Sequence, residues 1–211
     1  MRVMGNCVRV SAGIVALLWI TGVAAHADML DSIKKTYSEI NTVEARFSQK
    51  ITMSALKRQR EGAGEFFYKR GKGFLWRYTA PKARVFLYDG AVLWQAEEEK
   101  PTVIRQKVNK VKMEGSFFDL VDDVTRIDGL FALKESTKQD NMDVLLLIPK
   151  KEGTVQSARI WVDSQFVIRK MEIVEITGNV NLMEFSSVKI NKPLSDALFV
   201  FKLGDKEIEE Q

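Results

Sequence analysis

From residue 43 onward the chain reads as one nearly continuous succession of strands, and this constrains its fold more than any other feature. Val43, Ala45, Phe47, Ile51 and Met53 alternate with Glu44, Arg46, Ser48, Lys50 and Thr52. A period of two predicts a half-buried strand of about 11 residues. Residues 64–69 read as another strand. Phe74, Trp76 and Tyr78 alternate with Leu75 and Arg77 in the next. Segments 83–88 and 91–96 flank Asp89-Gly90, a strong hairpin signal. Further strand patterns cover 102–108, 130–135, 144–148, 155–162, 167–176 and 180–190, with 198–203 as the last.

Two helical stripes interrupt this run. Leu30, Ile33, Tyr37 and Ile40 recur at three- and four-residue steps, with Asp28 or Asp31 as a cap and Asn41 as the end. Phe117, Leu120, Val121, Val124 and Ile127 form a second apolar face opposite Asp119, Asp122, Asp123 and Arg126, and Asp128-Gly129 closes it. The expected fold is therefore mainly β with two or three helices. Sequential hairpins of about 11–12 strands imply one antiparallel sheet, which must curl or be covered. Two helices cannot fill its inside. The expectation is an unclosed β-barrel with a helical lid over an apolar cavity.

Ahead of this lies a different kind of segment. Arg2 and Arg9 precede an apolar run over residues 10–23, and Ala25-His26-Ala27 follows. This is the pattern of a secretory signal peptide, too short for a stable membrane span. Residues 1–27 are expected to be removed, leaving 28–211 as one domain, soluble after export. No lipoprotein cleavage box surrounds Cys7. The only cysteine, Cys7, and the only histidine, His26, both fall in the leader. The exported chain then has no means to form disulfides, thiol nucleophiles, Cys/His zinc sites or a Ser-His-Asp triad. The net charge of +4 includes two leader arginines and no leader acid. The remainder is nearly neutral, which argues against a nucleic-acid partner.

The remaining motifs carry little chemistry. Gly62-Ala-Gly64 and Gly71-Lys-Gly73 complete no phosphate-loop fingerprint and fit turns or bulges. Asp119, Asp122, Asp123 and Asp128 lack calcium-loop spacing. Glu97, Glu98 and Glu99 read as an exposed loop run. Glu65, Asp89, Glu172 and Glu184 lie in or beside strands, but nothing pairs two of them for acid–base work. Most of the aromatics of residues 66–94 are expected in the core, and those facing inward would line any cavity. Arg70 sits between two aromatic strands, where spacing alone makes it a solvated turn residue.

In order and spacing, these residues resemble the LolA family of periplasmic outer-membrane lipoprotein carriers. The resemblance rests on Ala45-Arg-Phe47-Ser-Gln49-Lys50, on Gly64-Glu-Phe66 through Lys69-Arg70, and on Phe74-Leu-Trp76-Arg-Tyr78 with Pro81. Asp89-Gly90 with Leu93-Trp94, Gly178-Asn179 through Phe185, Asn191 and Phe199-Val-Phe201 complete it. It implies an unclosed antiparallel barrel with a helical lid. It also implies a carrier rather than an enzyme, with no cofactor and no metal. Such a carrier takes acylated lipoproteins released by an inner-membrane ABC transporter complex. It delivers them to an outer-membrane receptor lipoprotein, or to the outer membrane directly, acting as a monomer. The family's key arginine falls on Arg70. Its apolar cavity positions fall on Phe47, Phe74, Trp76, Leu87, Phe118 and Val121. Three features depart from the family: Gly71 stands where proline is common, the loop at Glu97–Glu99 is acidic, and the end after Phe201 is short. Two rival readings are a carrier or sensor of the same fold for another amphiphile, such as a glycolipid, and a carboxylate-based hydrolase.

Overall fold

The computed structural model describes residues 22–108, 121 and 123–210. Helix α1 (Gly22–Glu39) leads into strands β1 (Thr42–Met53), β2 (Arg58–Lys69), β3 (Gly73–Ala80), β4 (Arg84–Tyr88), β5 (Val92–Glu97) and β6 (Thr102–Lys107). After a 3-10 turn (Val124–Arg126) and a single-turn helix α2 (Ile127–Leu130) come β7 (Phe131–Gln139), β8 (Met142–Pro149), β9 (Val155–Val162), β10 (Ile168–Glu175) and β11 (Val180–Ile190). A second 3-10 turn (Asp196–Phe199) precedes the short β12 (Glu207–Glu210).

The 12 strands form one sheet in the order β12-β6-β5-β4-β3-β2-β1-β11-β10-β9-β8-β7. Its two ends are different strands, so the barrel is unclosed. All pairings are antiparallel except β12 with β6. The hairpins expected from the sequence all form, including the β4–β5 turn at Asp89-Gly90. There the Asp89 carboxylate accepts from the N–H groups of Ala91 (3.0 Å) and Val92 (2.8 Å) and from the Trp94 indole (3.0 Å). Burial opposes its charge, but these bonds hold its pKa below the ordinary carboxylate value.

Three expectations are corrected. In the full-length chain Asp28 and Asp31 lie inside α1 rather than at its cap, because the helix-forming alanines of the leader carry it back to Gly22. Asp128 and Gly129 do not close the second helical region but lie inside α2. Asp128 is ion-paired to Lys34 on α1 at 2.6 Å, and Gly129 does not adopt the left-handed conformation of a helix stop. The upstream part of that stripe, Phe117 to Leu120 and Asp122, lies outside the described residues. Finally, 198–203 is not a strand. Ser195 caps a 3-10 turn through Ala197 (3.3 Å), and the apolar residues beyond pack on the sheet's outer face.

Strand alternation sorts the core. One inner cluster joins α1 to the β7–β10 half: Leu30, Ile33, Val124, Ile127 and Phe131 pack against Leu145, Ile160, Met171 and Ile173. The β1–β4 half has an aromatic inner face: Phe47, Phe66, Phe74, Trp76, Tyr78 and Tyr88, with Val121 and Met183. The outer face of that half is also apolar. Phe67, Leu75 and Leu87 are covered by Phe199, with Leu194, Leu198 and Phe201 alongside. Gly73 permits the close β3–β4 approach, since its φ is +115° and a Cβ would lie 1.9 Å from the Tyr88 carbonyl oxygen.

Candidate functional site

The β2–β3 turn sets Arg70 against the end of α1. Its backbone N–H donates to the Asn41 carbonyl (2.8 Å). Its Nε donates to the Ile40 carbonyl (3.1 Å). Its Nη2 reaches the carbonyls of Tyr37 (2.6 Å), Ser38 (3.2 Å) and Ile40 (2.7 Å). The last carbonyls of a helix have no partner within it, and the helix dipole favours a cation there. The turn can do this because Gly71 adopts φ +74°. Asn191, just past β11, completes the cap: its Nδ2 donates to the Glu39 carbonyl (3.1 Å), and its Oδ1 accepts from the Asn41 N–H (2.7 Å).

Tyr37 faces inward from the same turn of α1, and its phenol oxygen accepts from the Ile168 N–H (3.2 Å). Burial pushes its pKa up to about 12, although the Ile168 bond acts in the opposite direction. Helix α1 is thus tied at one end to β10, to the β2–β3 turn and to the segment after β11. At Lys34 it is also tied to α2.

Between α1 and the aromatic sheet lies a narrow cavity of about 70 Å³. Ile40, Val43, Ala45, Phe66, Tyr68, Trp76, Val124, Met171, Phe185 and Val188 contribute most of its apolar wall, and Arg70 lies on its rim. Edge-to-face contacts hold the wall: Phe47 sits 4.9 Å from both Trp76 and Tyr78, at 79° and 80°. Phe66 packs 4.3 Å from Trp76. Toward the hairpin-tip end, a buried polar chain follows, in which the Tyr78 hydroxyl donates to Gln49 (3.0 Å) and Gln49 donates to Asn181 (3.0 Å). Burial raises the Tyr78 pKa, so the phenol stays neutral.

Of the residues assigned from sequence, Arg70, Trp76 and Val121 line this cavity. Phe47 and Phe74 belong to the same aromatic cluster one layer behind the wall. Leu87 is misplaced by that assignment: on β4, Phe86 and Tyr88 point inward, so Leu87 points outward into the cluster beneath Phe199. Phe118 lies outside the described residues. The sequence assignment missed Phe66 and Phe185, although their alternation with Glu65 and Glu184 was visible. It also gave Asn191 no role.

The carboxylates weighed for acid–base work are occupied elsewhere. Glu65 pairs with Arg77 (3.2 Å), Glu172 with Arg159 (2.9 Å) and Glu184 with Lys170 (2.8 Å). Asp89 staples its turn. None of the four lines the cavity.

An open antiparallel barrel with a helix across an apolar aromatic cavity is an architecture that can shelter a hydrophobic group from water. Residues 38–202 match the model of the family described as outer membrane lipoprotein carrier protein LolA. The chain belongs to that family. An outer-membrane lipoprotein carrier protein of Chromobacterium violaceum is 28% identical over 177 residues, covering 84% of each chain. One of Methylibium petroleiphilum is 25% identical over 187 residues, covering 88% of this chain and 91% of the relative. The fold is similar to that of an uncharacterized conserved protein of Thermus thermophilus. That similarity has a TM-score of 0.57 at 8% identity, over 89% of this chain and 99% of that one. Among the described residues, no helix is long and apolar enough to cross a membrane.

Proposed function

We propose that this protein is a periplasmic carrier that takes acylated lipoproteins from the inner membrane to the outer membrane and performs no covalent chemistry on them. The observation that carries this reading is the apolar cavity beside an arginine-capped helix, in a chain of the LolA family. Residues 1–27 act as a signal peptide, removed after Ala27, and 28–211 work as a single soluble domain. An inner-membrane ABC transporter complex supplies the cargo. An outer-membrane receptor lipoprotein, or that membrane itself, accepts it.

The physical problem is to move a very apolar anchor through water. Three acyl chains carry about 45 methylenes, each worth about 0.8 kcal/mol when buried. A dry aromatic wall replaces the lipid contact. A cavity of about 70 Å³ is well below the roughly 300–1,000 Å³ of a small-ligand pocket, and three acyl chains exceed it. Loading therefore moves α1 outward and breaks the bonds from Arg70 to Tyr37, Ser38 and Ile40. Together these charge-assisted bonds are worth about 1.5–3 kcal/mol. Their recovery on closing favours release, so the loaded state is held less tightly than the cavity alone would hold it. Phe47, Phe74, Trp76 and Val121 serve the acyl site, and Phe118 is proposed to join them.

Spheroplasts supplied with the purified protein test this reading. Newly made lipoprotein is expected to leave the inner membrane as a soluble complex, and removal of its acyl chains is expected to abolish that complex. Acyl-independent release, or none, overturns the reading. Arg70→Leu is expected to accept lipoprotein but to deliver it poorly. Unimpaired delivery by that variant removes the proposed role of Arg70.

A further inference from the structure

Two hairpin tips at the end of the sheet away from Arg70 hold exposed apolar side chains that the cavity does not use. Leu56, in the β1–β2 turn, is 62% exposed, and Ile176, at the start of the β10–β11 turn, is 67% exposed. The tips are neighbours. Strands β1 and β11 pair with Thr52 opposite Val180. The Ser54 N–H donates to the Asn179 side chain (3.2 Å), and its hydroxyl donates to the Gly178 carbonyl. Two aliphatic side chains therefore project together from one joined platform.

Positive charge surrounds them. Lys57, Arg58 and Arg60 are all exposed, and none forms an ion pair with a described residue. Many cations elsewhere are paired: Lys34 with Asp128, Lys69 and Lys72 with Asp196, Lys82 with Glu99 and Lys189 with Glu44. The nearby acids are fewer: Glu175, which accepts from Thr177 (3.2 Å) and Asn179 (3.1 Å) and keeps its charge, and Glu61, which stands opposite Lys50 in the ladder. The adjoining β8–β9 turn is joined to this platform, since its Thr154 carbonyl accepts from the Ile176 N–H (3.0 Å).

We infer that the joined β1–β2 and β10–β11 tips are a docking site for an anionic lipid bilayer, with Leu56 and Ile176 inserted among the headgroups and Lys57, Arg58 and Arg60 at phosphate level. Two projecting side chains are too small an apolar area for a stable protein interface, which buries on the order of 1,200 Å² or more. Unpaired cations with no fixed partner suit a fluid anionic surface. The inference goes beyond the carrier reading and does not rest on it, since docking needs no lipoprotein.

The test is flotation of the protein, recovered from the periplasm, with vesicles free of lipoprotein. Binding is expected to vesicles of phosphatidylethanolamine with phosphatidylglycerol, to weaken as salt rises, and to be slight on phosphatidylcholine alone. Leu56→Asp with Ile176→Asp is expected to lower the bound fraction about tenfold or more. Lys57→Gln with Arg58→Gln and Arg60→Gln should lower binding to the anionic vesicles and leave the phosphatidylcholine level unchanged. The second variant keeps the test decisive if the first alters folding. Failure of the wild-type protein to float with anionic vesicles, or either variant floating with them as wild type does, overturns the inference.

Discussion

Arg70 and Asn191, on opposite flanks of β1, divide the carbonyls at the end of α1 between them. The guanidinium takes Tyr37, Ser38 and Ile40, and the amide takes Glu39. A helix end is thus satisfied by two separate strand termini rather than by a local cap. The guanidinium's planar fork can serve several acceptors at once, which a lysine ammonium on the same turn could not do with the same geometry.

Because both residues serve one helix end, their contributions should not add. Arg70→Leu is expected to lower stability by about 1.5–3 kcal/mol and Asn191→Ala by about 1 kcal/mol. In a double-mutant cycle their coupling should reach at least about 0.5 kcal/mol. Denaturant unfolding of the four proteins checks this, and strictly additive losses would mean the two caps act on independent units.

Gly71 holds the turn that aims Arg70. Its φ is +74°, and a Cβ there would meet nothing within 4 Å. Gly71→Ala should therefore cost only the left-handed backbone penalty, roughly 1–2 kcal/mol. Gly71→Pro is a different change, because proline fixes φ near −65°. It restores the residue common in the resembling family but conflicts with this turn. The expected result is a larger drop in Tm than for alanine, with the bonds from Arg70 to α1 lost and lipoprotein delivery reduced.

How much of this was legible follows from what alternation can and cannot report. The hairpins and the grouping of Phe74, Trp76 and Tyr78 were readable because strand parity fixes which residues share a face. Parity does not say which face is inside when both are apolar. It therefore could not correct the family resemblance, which placed Leu87 in the cavity although it shares the outer face with Phe67 and Leu75. The segment covering that face has the composition of a strand but packs as a strap, so 198–203 was misread. β12 was missed because four residues, three of them glutamate, carry too little pattern. Arg70 stood out only through family resemblance, since its partners are backbone carbonyls and no side-chain pattern marks those.

Tyr37 should give a spectroscopic signature of the closed helix end. Its folded pKa of about 12 lies above the ordinary 10.0. The neutral phenol is favoured in the folded state. Its contribution to stability is therefore complete below pH 10 and is lost as pH rises from 10 toward 12. Subtracting the ultraviolet titration of Tyr37→Phe from that of the wild type should leave one transition near 12. A transition near 10 would mean that this end of α1 is open in solution.

Paired substitutions on the two faces should separate acyl binding from stability. Leu87 is buried on the outer face, so Leu87→Ala is expected to cost about 2–5 kcal/mol. It should leave the affinity for a fluorescent fatty-acyl probe unchanged at temperatures where the variant is folded. Val188 lines the cavity and is only half-buried. Val188→Trp should fill the space and weaken probe binding about tenfold, a loss of about 1.4 kcal/mol, while Tm changes little. Probe titration and thermal unfolding on both variants check the pattern. If Val188→Trp binds the probe as wild type does, the acyl chains do not occupy the space between α1 and the aromatic wall. If Leu87→Ala also weakens binding, the outer strap shapes the cavity through the sheet.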